Sequence, residues 1–382
     1  MTRHGVNSRL VAPDLGRGLM LAWIAVANVA LFVLGPYGPR QHVVEDGLAD
    51  RLVTVLVVGL VDGRAYPLFA LLYGYGVARL LQRSDAGPVV LRRRSVGLIL
   101  VGAVHAVLLF PGDILGLYGV LGFVLVACRS VTDRTLTLWA MAWLVPACAV
   151  TAIVHGSSGG GEQRTYLWSF ALSDPAAVFP LRAVEWLMTP FALLPVVSAA
   201  LVGVLAARHR LPERAAELHD RLRSAARVLL GAAVLGGLPS GLVVAGFVPA
   251  PGPVGLVALA FVHAVTGVAG GVGAAALLVL FADRAGSWAT PMIALGRRSL
   301  SGYLFLSLVF AVVLHPLGLG LGERWGTAAT TGFAVAVWMA AVGLAAGLAR
   351  AGRPGPAELV LRRLSGQASW QDAPGRSPDG RT

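Results

Sequence analysis

A histidine followed closely by an aspartate is the sharpest chemical signal in the sequence. His105 lies within an apolar segment, and Asp113 follows in the turn Pro111-Gly112-Asp113-Ile114-Leu115. Because a helix rises about 1.5 Å per residue, His105 should lie about 16 Å above Arg94, near the middle of a membrane. Imidazole titrates near neutral pH, so a histidine paired with a carboxylate can transfer protons. The alternative is a neutral histidine that only hydrogen-bonds to a neighbouring helix.

Further polar residues interrupt other apolar segments. Asp14 and Arg17 share one face if their segment is helical. The segment around Gly296-Arg297-Arg298-Ser299 opens another apolar run, where a helix N-terminus can bind phosphate or can simply be a capped start. His263 and Thr266 are expected to line the same interior, and Glu185 and His315 rank lower. The candidate substrate-binding residues are Asp14, Arg17, Asn28, Arg64, Arg94, Arg297, Arg298 and Tyr303.

Motifs for bound cofactors are not found in the sequence. It contains no phosphate-binding loop of the Walker type, no Cys-x-x-Cys pair and no His-Glu-x-x-His. The two cysteines, Cys128 and Cys148, lie in or beside apolar segments and are expected to be packing residues. We therefore expect no metal site and no bound cofactor.

The elements that position these residues are expected to be membrane helices. Of 382 residues, 56% are hydrophobic and only 13% are charged, whereas about a quarter of the residues in a soluble domain are charged. This composition excludes an ordinary soluble protein and a disordered one. All 31 basic residues are arginines, mostly in short loops beside apolar segments. That pattern is typical of cytoplasmic membrane loops, so the expected partner is the lipid bilayer and not nucleic acid.

The sequence predicts an all-α bundle of about ten transmembrane helices, since one span needs about 20 apolar residues. Arginine placement favours an even number, with both termini cytoplasmic in the cell membrane. Residues 44–61 are either an interfacial helix or the outer half of a bent span, and residues 155–186 are an interfacial belt or a lid. The predicted spans are residues 18–35, 65–82, 95–110, 113–128, 134–154, 187–207, 226–248, 254–282, 299–317 and 328–349.

Several of these groups together resemble the YeiB-like family, whose C-terminal half is the domain of unknown function 418. The strongest match is the segment from His105 to Leu115, a histidine followed by apolar residues and Pro-Gly-Asp-Ile-Leu. Tyr73-Gly74 replaces the family's Phe-Gly, and Ser301 and Gly302 replace its usual Thr and Asn. The other matching residues are Asp14, Arg17, Gly18, Asn28, Gly296, Arg297, Leu300, Tyr303, Leu304, Gly355, Pro356, Glu358 and Arg362.

The resemblance implies one membrane domain over residues 1–364. Its N-terminal half is expected over about 1–220 and its C-terminal half over about 221–364, with a disordered cytoplasmic tail over 365–382. The family also resembles membrane acyltransferases, namely acyltransferase family 3 and the heparan-alpha-glucosaminide N-acetyltransferase group. Arg94 and His105 reproduce the Arg-to-His spacing of acyltransferase family 3.

The acyltransferase resemblance implies transfer of an acyl group from cytoplasmic acyl-CoA to a sugar, lipid or envelope acceptor. His105 would be the general base or a transient acyl carrier, and Asp113 would orient it. The CoA phosphates would bind Arg17, Arg92 to Arg94, and Arg297 or Arg298. Two alternatives are a transporter or flippase that uses the same polar residues as a path, and an accessory protein without chemistry.

Overall fold

The computed structural model describes residues 11–83, 87–156, 161 and 164–366, and their regular structure is helical. Apart from isolated bridges at Tyr37, no strand pairing occurs within these ranges. The predicted all-α class is confirmed. The helices are α1 Val11–Val29, α2 Leu48–Leu56, α3 Ala65–Arg83, α4 Gly87–Leu108, α5 Leu115–Ala127, α6 Asp133–Gly156, α7 Pro175–Ala192, α8 Val196–Arg208, α9 His219–Val244, α10 Pro253–Phe281, α11 Ala289–Gly296, α12 Ser299–Val313, α13 Thr327–Arg350 and α14 Pro356–Leu364.

The length and hydropathy of these helices agree with a multi-pass membrane protein. Among the described residues, six helical segments are long and apolar enough to cross a bilayer, and two bent helix pairs raise the number to eight if each pair is one span. Their exposed faces carry large apolar side chains such as Met141, Leu187, Leu235 and Val254, as expected for surfaces that face lipid tails. The total of ten spans and the cytoplasmic placement of both termini remain predictions.

The second span is broken in its middle. Helix α2 continues into a π-helical turn at Val57–Val61, and α3 starts only after a turn at residues 62–64. Gly63 has a φ of +75°, a left-handed conformation that glycine adopts without steric penalty. The whole stretch Leu48–Gln82 qualifies as one candidate span. The structure therefore favours the alternative in which residues 44–61 form part of the second span, which is interrupted at residues 62–64.

Two helix pairs are bent, the first inside the predicted span 187–207 and the second just before the predicted span 299–317. Helices α7 and α8 meet at 60°, and α11 and α12 meet at 88°. Pro190 and Pro195 stand at the first bend, where proline removes a backbone donor and breaks the helix. Helix α7 begins at Pro175, inside the predicted belt or lid over 155–186. In that segment Trp168 is exposed and Phe170 is buried.

The polar ends of α12 and α14 meet at one end of the bundle. Helix α14 packs against both α4 and α12. The side chain of Glu358 on α14 accepts hydrogen bonds from the backbone N–H groups of Leu300 and Ser301, at 2.9 and 3.2 Å. It therefore satisfies amide groups that a helix start leaves without an intrahelical partner. Of the predicted disordered tail, only Ser365 and Gly366 fall within the described residues.

Candidate functional site

His105 and Asp113 form a buried hydrogen-bonded pair. The two residues flank the turn that joins α4 to α5, and 2.8 Å separates His105 Nδ1 from Asp113 Oδ1. The other carboxylate oxygen accepts the backbone N–H of Gly116 at 2.8 Å and a longer contact from Trp186 Nε1 at 3.4 Å. A carboxylate only accepts, so the proton of a neutral His105 belongs on Nδ1. The free lone pair of the imidazole is then on Nε2.

The Nε2 atom of His105 is the chemically available atom of the pair. It is buried and has no hydrogen-bond partner among the described residues. The ring of Tyr303 lies beside it, with 4.9 Å between the ring centres. Tyr303 is therefore grouped with the His105–Asp113 pair, although it was expected beside Arg297 and Arg298 at the start of the same helix.

A glycine on α4 makes the position of Asp113 possible. A Cβ atom on Gly102 would lie 2.5 Å from both Asp113 Oδ2 and the backbone nitrogen of Gly116. No real side chain tolerates such distances, so α4 and α5 approach this closely only with glycine here. On the other side, Arg182 donates a 2.9 Å hydrogen bond to the carbonyl of Leu108 at the end of α4. Arg182 thus anchors the end of the helix that carries His105.

Asn28 is tied into the same interior. The hydroxyl of Tyr66 donates to Asn28 Oδ1 at 2.6 Å, and the hydroxyl of Tyr118 donates to the carbonyl of Tyr66 at 3.2 Å. Asn28 is 4% exposed, so its side chain contacts protein groups and not solvent. It belongs to a polar network between α1, α3 and α5. Such a network rigidifies the interior when its members are satisfied.

A cavity of about 150 Å³ lies next to this network; it is called the polar cavity for the charged and polar groups set in its largely apolar wall. Arg40 and Asp62 line it and form an ion pair at 2.5 Å. Its polar lining also includes three histidines and two tyrosines: His42, His155, His263, Tyr66 and Tyr166. Of the residues in this lining, the sequence analysis named His263. It missed Arg40, His42, His155 and Tyr166, because these residues come from loops or helix ends and share no spacing.

Arg64 was expected to bind substrate, but its side chain is directed into the protein interior and contacts protein groups. Its guanidinium donates to the carbonyls of Asp62 and Ala233, the latter at 2.8 Å. It also lies 2.9 Å from His263 Nε2, and that nitrogen is in turn 3.2 Å from the carbonyl oxygen of Asp62. Arg64 does not line the cavity. Its contacts join the break in the second span to α9 and α10.

Burial keeps the loop histidine of the cavity neutral. The pKa of His42 is lowered to about 4, chiefly because burial disfavours the charged imidazole, and Arg40 adds repulsion. Burial likewise raises the pKa of Tyr166 and lowers that of Arg164 beside it. At neutral pH, the charged side chains that line the cavity are therefore Arg40 and Asp62.

The other predicted basic residues lie at the arginine-rich end of the bundle, opposite the cavity. Asp14 lies 3.6 Å from Arg17 and 3.2 Å from Arg297, so these three residues form one cluster as the helical spacing indicated for the first two. Arg298 instead donates to the carbonyl of Arg353. Arg94 is half-buried at the start of α4, next to the exposed Arg92 and Arg93.

The expected phosphate site at the start of α12 has a protein partner. Glu358 receives the N–H groups of Leu300 and Ser301 and the hydroxyl of Ser301, the last at 2.5 Å. These are the donors that an anion would use. The capped-helix alternative therefore agrees better with the structure than a phosphate site does. Within the described ranges, no group of three or more His, Cys, Asp or Glu residues is placed to hold a metal ion.

The C-terminal part of the chain matches a known family. Residues 206–367 match the family model described as "Protein of unknown function (DUF418)". The match covers less than half of the chain and agrees with the family expected from the sequence motifs. Helices α9 to α14 lie within the matched residues, and the His105–Asp113 pair lies outside them.

Two Bacillus proteins are similar to parts of this chain. "Uncharacterized protein YxaH" of Bacillus subtilis (strain 168) is 30% identical over 146 residues, which cover 35% of this chain and 36% of that protein. "Uncharacterized 39.9 kDa protein in amylase 3'region" of Bacillus acidopullulyticus is 30% identical over 124 residues, which cover 31% and 34%. The matched region thus spans about a third of the length of each relative.

Proposed function

We propose that this protein is an acyltransferase of the plasma membrane, with both termini in the cytoplasm. The observation that carries the proposal is the His105–Asp113 pair, with a hydrogen bond of 2.8 Å and an unpartnered Nε2. In nucleophilic and acyl-transfer sites, a carboxylate on Nδ1 fixes the tautomer and stabilises the imidazolium that forms. His105 and Asp113 have this arrangement inside an apolar bundle.

In the proposed reaction, His105 acts as the general base. Nε2 takes the proton of an acceptor hydroxyl or amine, whose oxygen or nitrogen attacks the thioester carbonyl of acyl-CoA. The C–S bond breaks, and the leaving thiolate of CoA takes the proton from the imidazolium. Asp113 stabilises the transient positive charge on the ring. His105 is 3% exposed and Asp113 is 1% exposed, so both substrates must reach Nε2 from within the bundle, where water is scarce.

The arginine-rich end of the bundle supports a cytoplasmic donor. Arg92 and Arg93 at the start of α4 are exposed, and the Arg297 side chain is 51% exposed while also contacting Asp14. Arginine recognises phosphate through several donors at once. We propose that acyl-CoA approaches from this end as a co-substrate, with Arg17, Arg94 and Arg298 bordering the same surface. Because Glu358 occupies the α12 amides, phosphate recognition falls to these side chains.

The test is acyl-CoA turnover by the purified full-length protein. We expect slow hydrolysis of acetyl-CoA or a longer acyl-CoA by wild type, and a loss of about 100-fold or more in His105→Gln, since general bases contribute about 10²–10⁴-fold. His219→Gln, at a histidine on α9 whose side chain is 39% exposed, is the matched control. Full activity in His105→Gln, or no binding of any acyl-CoA by wild type, would reject the proposal.

The broken second span favours a transporter as the second candidate. Substrate sites of secondary transporters are often built from discontinuous helices, and the break at residues 62–64 adjoins the polar cavity. A transporter moves a solute across vesicles that contain no acyl-CoA. Solute flux that needs Asp62 but not His105 would favour this candidate over the acyltransferase.

A further inference from the structure

The polar cavity has the features of a built binding site. Of the four non-glycine residues with positive φ among the described residues, three line it: Arg40 at 57°, Gln41 at 59° and Leu167 at 60°. Such backbone conformations are unfavourable for these residue types and cluster at functional sites. The two loops that carry them converge on one another, because the Gln41 amide donates to the hydroxyl of Thr165 at 2.8 Å.

The charge balance of the cavity favours an uncharged ligand. Arg40 and Asp62 are opposite in charge and already paired, so neither is left to bind a charged group. The buried His263 ring lies 2.9 Å from the Arg64 guanidinium, and repulsion between like charges favours a neutral imidazole there. His42 is neutral at physiological pH. An anion would face the Asp62 carboxylate, and a cation would face the Arg40 guanidinium, so each would meet repulsion.

The lining groups suit a ring that carries many hydroxyls. The carboxylate, guanidinium and imidazole groups of the lining supply donors and acceptors that can match neighbouring hydroxyls on one ring, while the Gln41 amide is paired with Thr165. The aromatic rings of Tyr66 and Tyr166 add flat apolar surface. A cavity of 150 Å³ is large enough for a six-membered ring such as benzene. The cavity volume therefore suits a single six-membered ring, and the polar lining groups suit its hydroxyls.

The cavity adjoins the turn that carries the catalytic pair. Phe110 and Gly112 line the cavity and belong to the same turn as Asp113. The ring centre of Phe110 lies 6.3 Å from that of His105. Thr189 also lines the cavity, and its hydroxyl donates to the carbonyl of Pro111 at 3.0 Å. A ring bound in the cavity would thus lie one side chain away from the imidazole.

We infer that this cavity binds an uncharged polyhydroxylated ring, a sugar or a cyclitol, and that this ring carries the acyl acceptor. The inference rests on the proposed acyltransferase function for the role of the ring as acceptor. Binding of the ring itself depends only on the cavity, which makes the two claims separable by experiment.

Binding is measured on the full-length protein in detergent by saturation-transfer NMR without acyl-CoA. The probes are methyl β-D-glucoside and myo-inositol, with glucuronate as a charged comparison and cyclohexanol as a ring with a single hydroxyl. We expect both uncharged polyols to bind, and glucuronate and cyclohexanol to bind more weakly. His42→Leu should weaken polyol binding about tenfold, the equivalent of one hydrogen bond, while the control His219→Leu should not.

Further variants separate the outcomes. Ala264→Leu, which places a larger side chain in the cavity wall, should block binding without removing a polar group. His105→Gln should keep polyol binding and lose acyl transfer. Polyol binding by a wild-type protein without acyl transfer would refute the acceptor role and retain the site. Preference for glucuronate, or polyol binding unchanged in both His42→Leu and Ala264→Leu, would overturn the inference.

Discussion

Substituting Gly102 by alanine tests whether α4 and α5 pack as closely as the His105–Asp113 pair requires. The added methyl carbon would start 2.5 Å from Asp113 Oδ2 and from Gly116 N, against about 3.4 Å for an ordinary contact. The carboxylate and the first turn of α5 must therefore move by about 0.9 Å. Neither is the free end of a flexible side chain, because Oδ2 is hydrogen-bonded to Gly116.

The displacement has two measurable consequences. Overpacking of this kind typically costs about 1–3 kcal/mol of stability, so the melting temperature of Gly102→Ala should fall by several degrees. A misplacement of about 1 Å can cost about 100-fold in rate, so acyl-CoA turnover should fall about as far as in His105→Gln. The stability effect is expected whether or not the protein is an acyltransferase.

The matched control for Gly102→Ala is Gly343→Ala on α13. A Cβ atom at Gly343 meets nothing within 4 Å, so this variant should keep or slightly raise the melting temperature. Thermal unfolding in detergent, followed by tryptophan fluorescence, compares both variants with wild type. If Gly102→Ala has the same melting temperature as Gly343→Ala and wild type, the close approach of α4 to Asp113 is refuted.

Two further changes probe other parts of the fold. Glu358→Ala removes the acceptor for the first amides of α12, so hydrogen exchange at Leu300 and Ser301 should become faster, with a stability loss of about 1 kcal/mol; unchanged exchange would contradict the cap. Burial lowers the pKa of His315 from 6.5 to about 4, so the folded state binds fewer protons than the unfolded chain, and stability should fall as the pH drops from 6.5 toward 4. His315→Gln should weaken this pH dependence of the melting temperature, and an equally steep fall in that variant would contradict the assignment.

Local sequence patterns predicted the contact between His105 and Asp113. His105 and Asp113 are separated by one helix end and one turn, so their residue types and spacing were enough to suggest a pair. Asp14 and Arg17 likewise lie on successive turns of one helix. The helical class followed from composition, because a bilayer leaves few alternatives to helices for so apolar a chain.

The cavity could not be predicted because its polar groups are distant in sequence. Arg40 pairs with a residue 22 positions away, and Gln41 with one 124 positions away. Spacing rules for helices reach only three or four residues. The apolar pattern also hid the bend after α7, since the residues on both sides of that bend remain apolar.

The partners of Arg64 also have a consequence for the order of synthesis. The carbonyl of Ala233 and the ring of His263 lie 169 and 199 residues further along the chain. A ribosome therefore delivers Arg64 to the membrane long before these two partners exist. An arginine at the centre of a span costs about 2.5–3.5 kcal/mol to insert. The nascent second span should consequently enter the bilayer late, or wait beside the translocon until α9 and α10 arrive, and a truncated chain that ends before α9 should be prone to degradation.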